Sequence, residues 1–156
     1  MFKLARAKSQ SIPKVVEKPL AAAQTFRQGA LCLIDGSALI AECGADPAAI
    51  AGIALTGAGA DTGIGSRFGS VEFPPGIMKI ELVQDEVVWR ATYQGTLPAA
   101  DGGTYGVTRL TGGDWVVDFA KTAASARLKL VGRLTNSPEN VPEVLVTFLA
   151  ANVQIF

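Results

Sequence analysis

Hydrophobic and polar residues alternate with a period of two over much of the second half of the chain. In Met78-Lys-Ile-Glu-Leu82, Met78, Ile80 and Leu82 fall on one side, and Lys79 and Glu81 on the other. A strand sends successive side chains to opposite faces, so this pattern predicts a half-buried β-strand. The run Glu86–Tyr93 repeats it, with Val87, Trp89 and Ala91 alternating with Val88, Arg90 and Thr92, and Gln84-Asp85 reads as a tight turn between the two strands. Tyr105–Leu110 and Asp114–Ala120 flank Thr111-Gly112-Gly113, a hairpin pattern. In its second arm Trp115, Val117 and Phe119 share one side, leaving Asp114, Val116 and Asp118 on the other. Arg127–Leu134 sets Leu128, Leu130 and Leu134 against Arg127, Lys129 and Arg133. Glu143–Ala150 is apolar on both faces, which predicts a central strand or one at a subunit contact.

The first half gives shorter signals. Phe26–Ile34 and Ala38–Cys43 read as two strands joined through Asp35-Gly36-Ser37, since an Asp-Gly step between apolar runs is a hairpin signal. Ile50–Leu55 is a third apolar run. Thr56–Ser70 holds five glycines and reads as a loop, closed by Phe73-Pro-Pro-Gly76; Gly95–Tyr105 and Asn136–Pro142 are further loops. No stretch carries three turns of amphipathic helix, and Lys121–Ala126 is at most a helical turn. About eight to ten short strands at turn spacing predict an all-β barrel or sandwich.

Residues 1–24 differ from the rest. They show no sustained period and contain Pro13 and Pro19, which interrupt regular structure. This predicts an extended N-terminal arm over 1–24, up to roughly 80 Å long, and a single β domain over 25–156. A frayed tail is the alternative to an arm that orders on a neighbouring subunit, and the apolar residues Phe2, Leu4, Ile12, Val15 and Val16 favour the arm, since an idle tail needs no such anchors.

Composition sharpens the division. Of 156 residues only 18% are charged, with 14 basic and 14 acidic side chains and no histidine. Residues 1–18 carry Lys3, Arg6, Lys8, Lys14 and Lys18 against Glu17, so the neutral total is a +4 arm cancelling a −4 body. Few charges and near-zero net charge favour association, which points to a surface shared within an assembly. Neutrality argues against a dedicated nucleic-acid binder. The missing histidine removes Ser-His-Asp and Cys-His nucleophile systems and the commonest zinc sites. No secretory signal or apolar run of about 20 residues is present, so the expected protein is soluble and made in the cytoplasm.

Candidate chemistry is thin. Gly57-Ala-Gly59 and Gly63-Ile-Gly65 lack the spacing, the following helix and the Gly-Lys-Ser/Thr of phosphate loops. Asp114 and Asp118, four apart on a strand, would lie ~13 Å apart and read as a solvated face rather than a carboxylate pair. Trp89, Arg90 and Tyr93 would make a stacking platform for a single strand, but the acidic body would repel phosphate. Cys32 and Cys43 read as small buried fillers, with a bridge inside one hairpin as the alternative. No catalytic, cofactor-binding or metal-ligating set emerges.

One resemblance adds to this. Phe26-Arg-Gln-Gly-Ala-Leu-Cys-Leu-Ile-Asp35, then Ala38-Leu-Ile-Ala-Glu-Cys43, then Asp46-Pro-Ala-Ala-Ile-Ala-Gly-Ile-Ala54 resemble the opening of tailed-bacteriophage head decoration (capsid cement) proteins. Tyr105–Leu110, Asp114–Asp118 and Val146–Leu149 look, more loosely, like small β-domain proteins of phage structural gene clusters. The resemblance implies a small β-tulip-like domain with an N-terminal arm, without enzymatic activity. It implies a place on the outer surface of the virion, with the major capsid protein and further copies of itself (a homotrimer, or a dimer) as partners, and neither nucleic acid nor membrane. This chain is longer than the compact members of that family. The arm residues Phe2, Lys3, Leu4, Arg6, Lys8, Ile12 and Lys14 are the expected capsid contact. A phage tail-tube or head–tail joining protein is the alternative in the same setting. A small β-barrel enzyme or ligand-binding domain is the alternative outside it.

Overall fold

The computed structural model describes residues 2–7, 14–58, 77–84, 87–134 and 142–154. Among the described residues there are eleven strands: β1 (Phe2–Ala7), β2 (Val15–Pro19), β3 (Leu31–Ile34), β4 (Ile40–Glu42), β5 (Gly52–Ala54), β6 (Ile77–Leu82), β7 (Val87–Gln94), β8 (Thr104–Arg109), β9 (Trp115–Asp118), β10 (Leu128–Leu134) and β11 (Glu143–Phe148). Two three-residue 3-10 turns, Ala123–Ser125 and Ala150–Asn152, are the helical content among the described residues. The chain is all-β, as the alternation indicates.

Five strands close on themselves. The order β7-β11-β10-β8-β9 returns to β7 through a parallel pairing of Tyr93 with Val117 and Gln94 with Asp118, which makes a five-stranded barrel. Each of the five strands thereby pairs with two neighbours within the barrel. One face of the ladder is shared by Val87, Trp89, Ala91, Val107, Trp115, Val117, Val144 and Val146, all buried. β11, apolar on both faces, lies between β7 and β10. The β8–β9 hairpin turns through Thr111-Gly112-Gly113, with Gly113 at φ +90°, a left-handed conformation that favours glycine.

The second sheet has the order β2-β6-β5-β3-β4. Its β3–β4 hairpin is set by Asp35, whose Oδ1 accepts from the Ser37 and Leu39 N–H groups at 2.8 and 2.9 Å. That short-range capture explains the turn read from Asp35-Gly36-Ser37. Gly52 lies where β5 meets β6: a Cβ there would sit 2.6 Å from the Glu81 carbonyl oxygen. A parallel bridge from Leu20 to Ile40 draws the chain after β2 alongside β4. Buried residues of both sheets belong to one hydrophobic cluster.

Several expectations are corrected. β1 does not extend outward: it pairs antiparallel with β7, Phe2 opposite Ala91 and Leu4 opposite Trp89, along the part of the β7 edge that β9 leaves open. Phe2 is only 2% exposed and packs on Phe148 at a ring-centroid distance of 5.8 Å, with Trp89 edge-on to Phe148. β2 likewise pairs with β6. Phe2 and the partly buried Val16 therefore have apolar partners within the chain, which is what burial of a large aromatic ring favours. β6 and β7 are not a hairpin but enter different sheets. The first strand of the body starts at Leu31, with Phe26 held separately by a bridge to Ala58. In β10 a bulge between Leu130 and Gly132 reverses the alternation, so Leu134 faces the side opposite Leu128 and Leu130. Most of the glycine-rich Thr56–Ser70 loop and of Asn136–Pro142 lies outside the described residues, as does Asp85.

Candidate interaction surface

The residues singled out for contact are spread by the fold. Phe2 is in the core, and Lys3, Leu4 and Arg6 lie on β1 opposite Arg90, Trp89 and Val88. Lys8 and Ile12 lie outside the described residues. Lys14 is exposed, and its carbonyl accepts from the Leu82 N–H at 2.8 Å. The basic segment thus offers Lys14 and Lys18 beside Val15, which is 46% exposed.

The backbone of β2 adds to this. Lys14 and Leu82 form a hydrogen-bonded pair of the antiparallel ladder, and the register continues Val15–Glu81, Val16–Ile80, Glu17–Lys79. Hydrogen-bonded and non-bonded pairs alternate in such a ladder. Val15 and Glu17 therefore turn their N–H and C=O groups away from β6, towards the outer edge of the sheet. Their side chains are exposed, and Glu17 is tied to Lys79 at 2.7 Å. Sequence alternation alone gives no hint of which strand is an edge, because that depends on long-range pairing.

A polar seam fixes the second sheet to the barrel. Glu42 on β4 accepts from Arg109 Nε at 2.7 Å and from Trp115 Nε1 at 2.9 Å. Lys121 reaches Asp46 at 2.5 Å, and Arg127 Nε donates to the Pro47 carbonyl. Gln154 brackets Ile34, accepting from its N–H at 3.0 Å and donating to its C=O at 2.7 Å. Such paired contacts orient two elements more than they stabilise them when partly exposed.

The candidate catalytic carboxylates separate. Asp114 lies 3.7 Å from Arg27 and is half-buried. Asp118, expected on a solvated face, is 7% exposed beneath the 119–126 segment. It accepts from Gln94 Nε2 and Thr108 Oγ1, each at 2.8 Å, and from the Ala120 N–H at 3.0 Å. Burial pushes its carboxyl up, but those hydrogen bonds and nearby Lys121 outweigh burial and hold it below the usual carboxylate range. It is a fixed anion tying β7, β8 and β9 together where the barrel closes. The stacking platform does not form: Trp89 is fully buried, Arg90 pairs with buried Glu143 at 3.3 Å, and Tyr93 packs on Phe119. Cys32 and Cys43 are both free and buried. Burial, then the charge of Glu42, pushes the Cys43 thiol up to about 12, and burial raises Cys32 well above its ordinary value. Among the described residues no group of three His, Cys, Asp or Glu is placed to hold a metal ion.

No family model, curated protein or solved structure matches the chain.

An open cleft completes the surface. It has a volume of about 260 Å³ and is lined by Thr25, Phe26, Arg27, Arg109, Thr111, Gly112 and Gly113. Its two arginines are 82 positions apart, and neither belongs to a local motif. Only the docking of the β8–β9 turn against the Thr25–Arg27 segment brings them together.

Proposed function

We propose that this chain is a structural virion protein without enzymatic activity that decorates an icosahedral phage capsid and stabilises it by bridging neighbouring major capsid protein subunits. The observation that carries the reading is the edge of β2, where the N–H and C=O groups of Val15 and Glu17 point outward and pair with no strand among the described residues, with lysines at 14 and 18. An edge of this kind accepts an extended segment of a neighbour as an additional strand. The resemblance of residues 26–54 to head decoration proteins supports the same reading, and those residues build β3, β4 and β5 of the sheet that carries the edge. Phe2 is committed to the chain's own core, so the capsid contact shifts from the apolar end of the N-terminal segment to Lys14 and the β2 edge. The surface is poor in charge, and many copies on a repeating shell act through weak contacts at high effective concentration. Copies also associate with one another, as a trimer or a dimer, at the outer surface of the virion.

Val15→Pro tests the edge. Its N–H points away from β6, and proline is tolerated on an outer strand edge. The variant should fold as the parent and sediment with undecorated heads about three- to tenfold more weakly, the loss of one interfacial hydrogen bond. Unchanged co-sedimentation of a folded Val15→Pro variant would remove β2 from the contact. Failure of the parent protein to bind heads, with rings or tubes formed instead, would favour the tail-tube or head–tail joining alternative.

A further inference from the structure

The cleft at the junction of the two sheets has a chemistry that the seam does not use up. Its back is rigid. Phe26 is buried, and its N–H and C=O both bond to Ala58. The Thr111-Gly112-Gly113 turn is closed by bonds from Gly113 N–H to the Leu110 carbonyl and from Leu110 N–H to the Asp114 carbonyl. Two guanidinium groups converge over this turn. A Cβ placed on Gly113 would lie 3.7 Å from Arg109 Nη2 and 3.8 Å from Arg27 Nε, whereas one on Gly112 would meet nothing within 4 Å. The space over the turn is open, and cationic nitrogens face its inner end.

The two arginines are held in different ways. Arg109 is anchored through Nε to Glu42, which Trp115 also holds, while its Nη2 faces the cleft side. Arg27 is half-exposed, and its nearest anion, Asp114 Oδ2, stands at 3.7 Å, beyond hydrogen-bond length. Asp114 thus supplies proximity without occupying the guanidinium's donors. Exposed pairs of this kind contribute little and yield readily to a better acceptor. A nitrogen from each of two guanidinium groups beside one open space, with Thr25 and Thr111 in the same lining, can donate to the two oxygens of a carboxylate.

We propose that this cleft is a binding site for a single carboxylate group. Arg27 forms the principal clamp, Arg109 is the pre-oriented second donor, and the Gly112 side is the mouth. The site stands independently of the capsid reading. The test uses the full chain and the backbone and arginine Nε–H signals of its ¹H–¹⁵N spectrum, titrated with sodium succinate against sodium chloride at matched ionic strength. Succinate should give saturable shifts at Arg27, Arg109, Thr111 and Gly112. Arg27→Ala should weaken them by about tenfold or more, the loss of a charged hydrogen-bonding partner. Arg27→Lys keeps the charge but not the fork and should also weaken them. Retained signal dispersion in both variants controls for folding. Shifts no larger than those in chloride, or an Arg27→Ala variant that titrates like the parent, would overturn the site. Tighter saturation by inorganic phosphate than by succinate would overturn its assignment to carboxylates.

Discussion

Replacing Phe2 with alanine asks whether the N-terminal strand is a structural part of its own barrel. The ring is 2% exposed and stacks at a tilt against Phe148, which Trp89 contacts edge-on. Emptying a core position of this size costs about 3–5 kcal/mol. Phe2 is near the chain end, so release of β1 offers relief, and the lower figure of about 3 kcal/mol applies. For a chain of this length each kcal/mol lowers Tm by roughly 2–4 °C, so Phe2→Ala should melt about 6–12 °C below the parent. Urea unfolding followed by the fluorescence of buried Trp89 and Trp115 measures the same loss at constant temperature. A change below about 0.5 kcal/mol, the range of ordinary surface substitutions, would refute docking of Phe2 in its own chain. Dilution separates the remaining possibility. A strand docked within one chain gives a Tm independent of protein concentration. One docked into a neighbouring copy gives a Tm that falls on dilution.

Three further outcomes follow from the geometry. Asp118→Asn should destabilise the protein by about 1–3 kcal/mol at neutral pH, because the buried acceptor loses its charge-assisted bonds. The native carboxyl titrates below its unfolded value, so its contribution is full above the unfolded value and lost as pH falls through the native one. The gap between parent and variant in urea melts should therefore close in acid, and a gap constant across pH would contradict the network. Neither Cys32 nor Cys43 should react with a thiol reagent at pH 8 until denaturant is added, and both should then react; fast labelling of the native protein would contradict their burial. Gly52→Ala should cost about 1–3 kcal/mol in chemical melts through overpacking against the β6 backbone, and a neutral result would contradict the close β5–β6 approach.

The all-β class and several individual strands were legible because alternation is a local property of half-buried strands. Ile77–Leu82 and Val87–Gln94 carry it in their sequence, and the Asp35 and Gly112-Gly113 turns carry their own chemistry. Partners and edges were not legible. Whether β6 pairs with β7 or with β2 is decided by contacts distant along the chain, and a turn-like Gln84-Asp85 does not encode it. Asp118 looked solvated because alternation assigns faces but not what covers them; the 119–126 segment folds back over that face. The N-terminal segment looked like an arm because its paired stretches are only six and five residues long, with proline at the end of the second. The Leu130–Gly132 bulge carried no signal beyond a glycine. The arginine cleft exists only once the β8–β9 turn meets the Thr25–Arg27 segment.

The proposed decoration of a capsid by this chain can be seen by cryo-electron microscopy of heads lacking the protein, imaged before and after adding it. Decoration should add density of one β domain per copy on the outer surface, at a fixed whole number of copies per capsomer, with the β2 edge against the shell. Heads that remain bare at saturating protein would contradict it, as would density confined to the tail or the portal vertex.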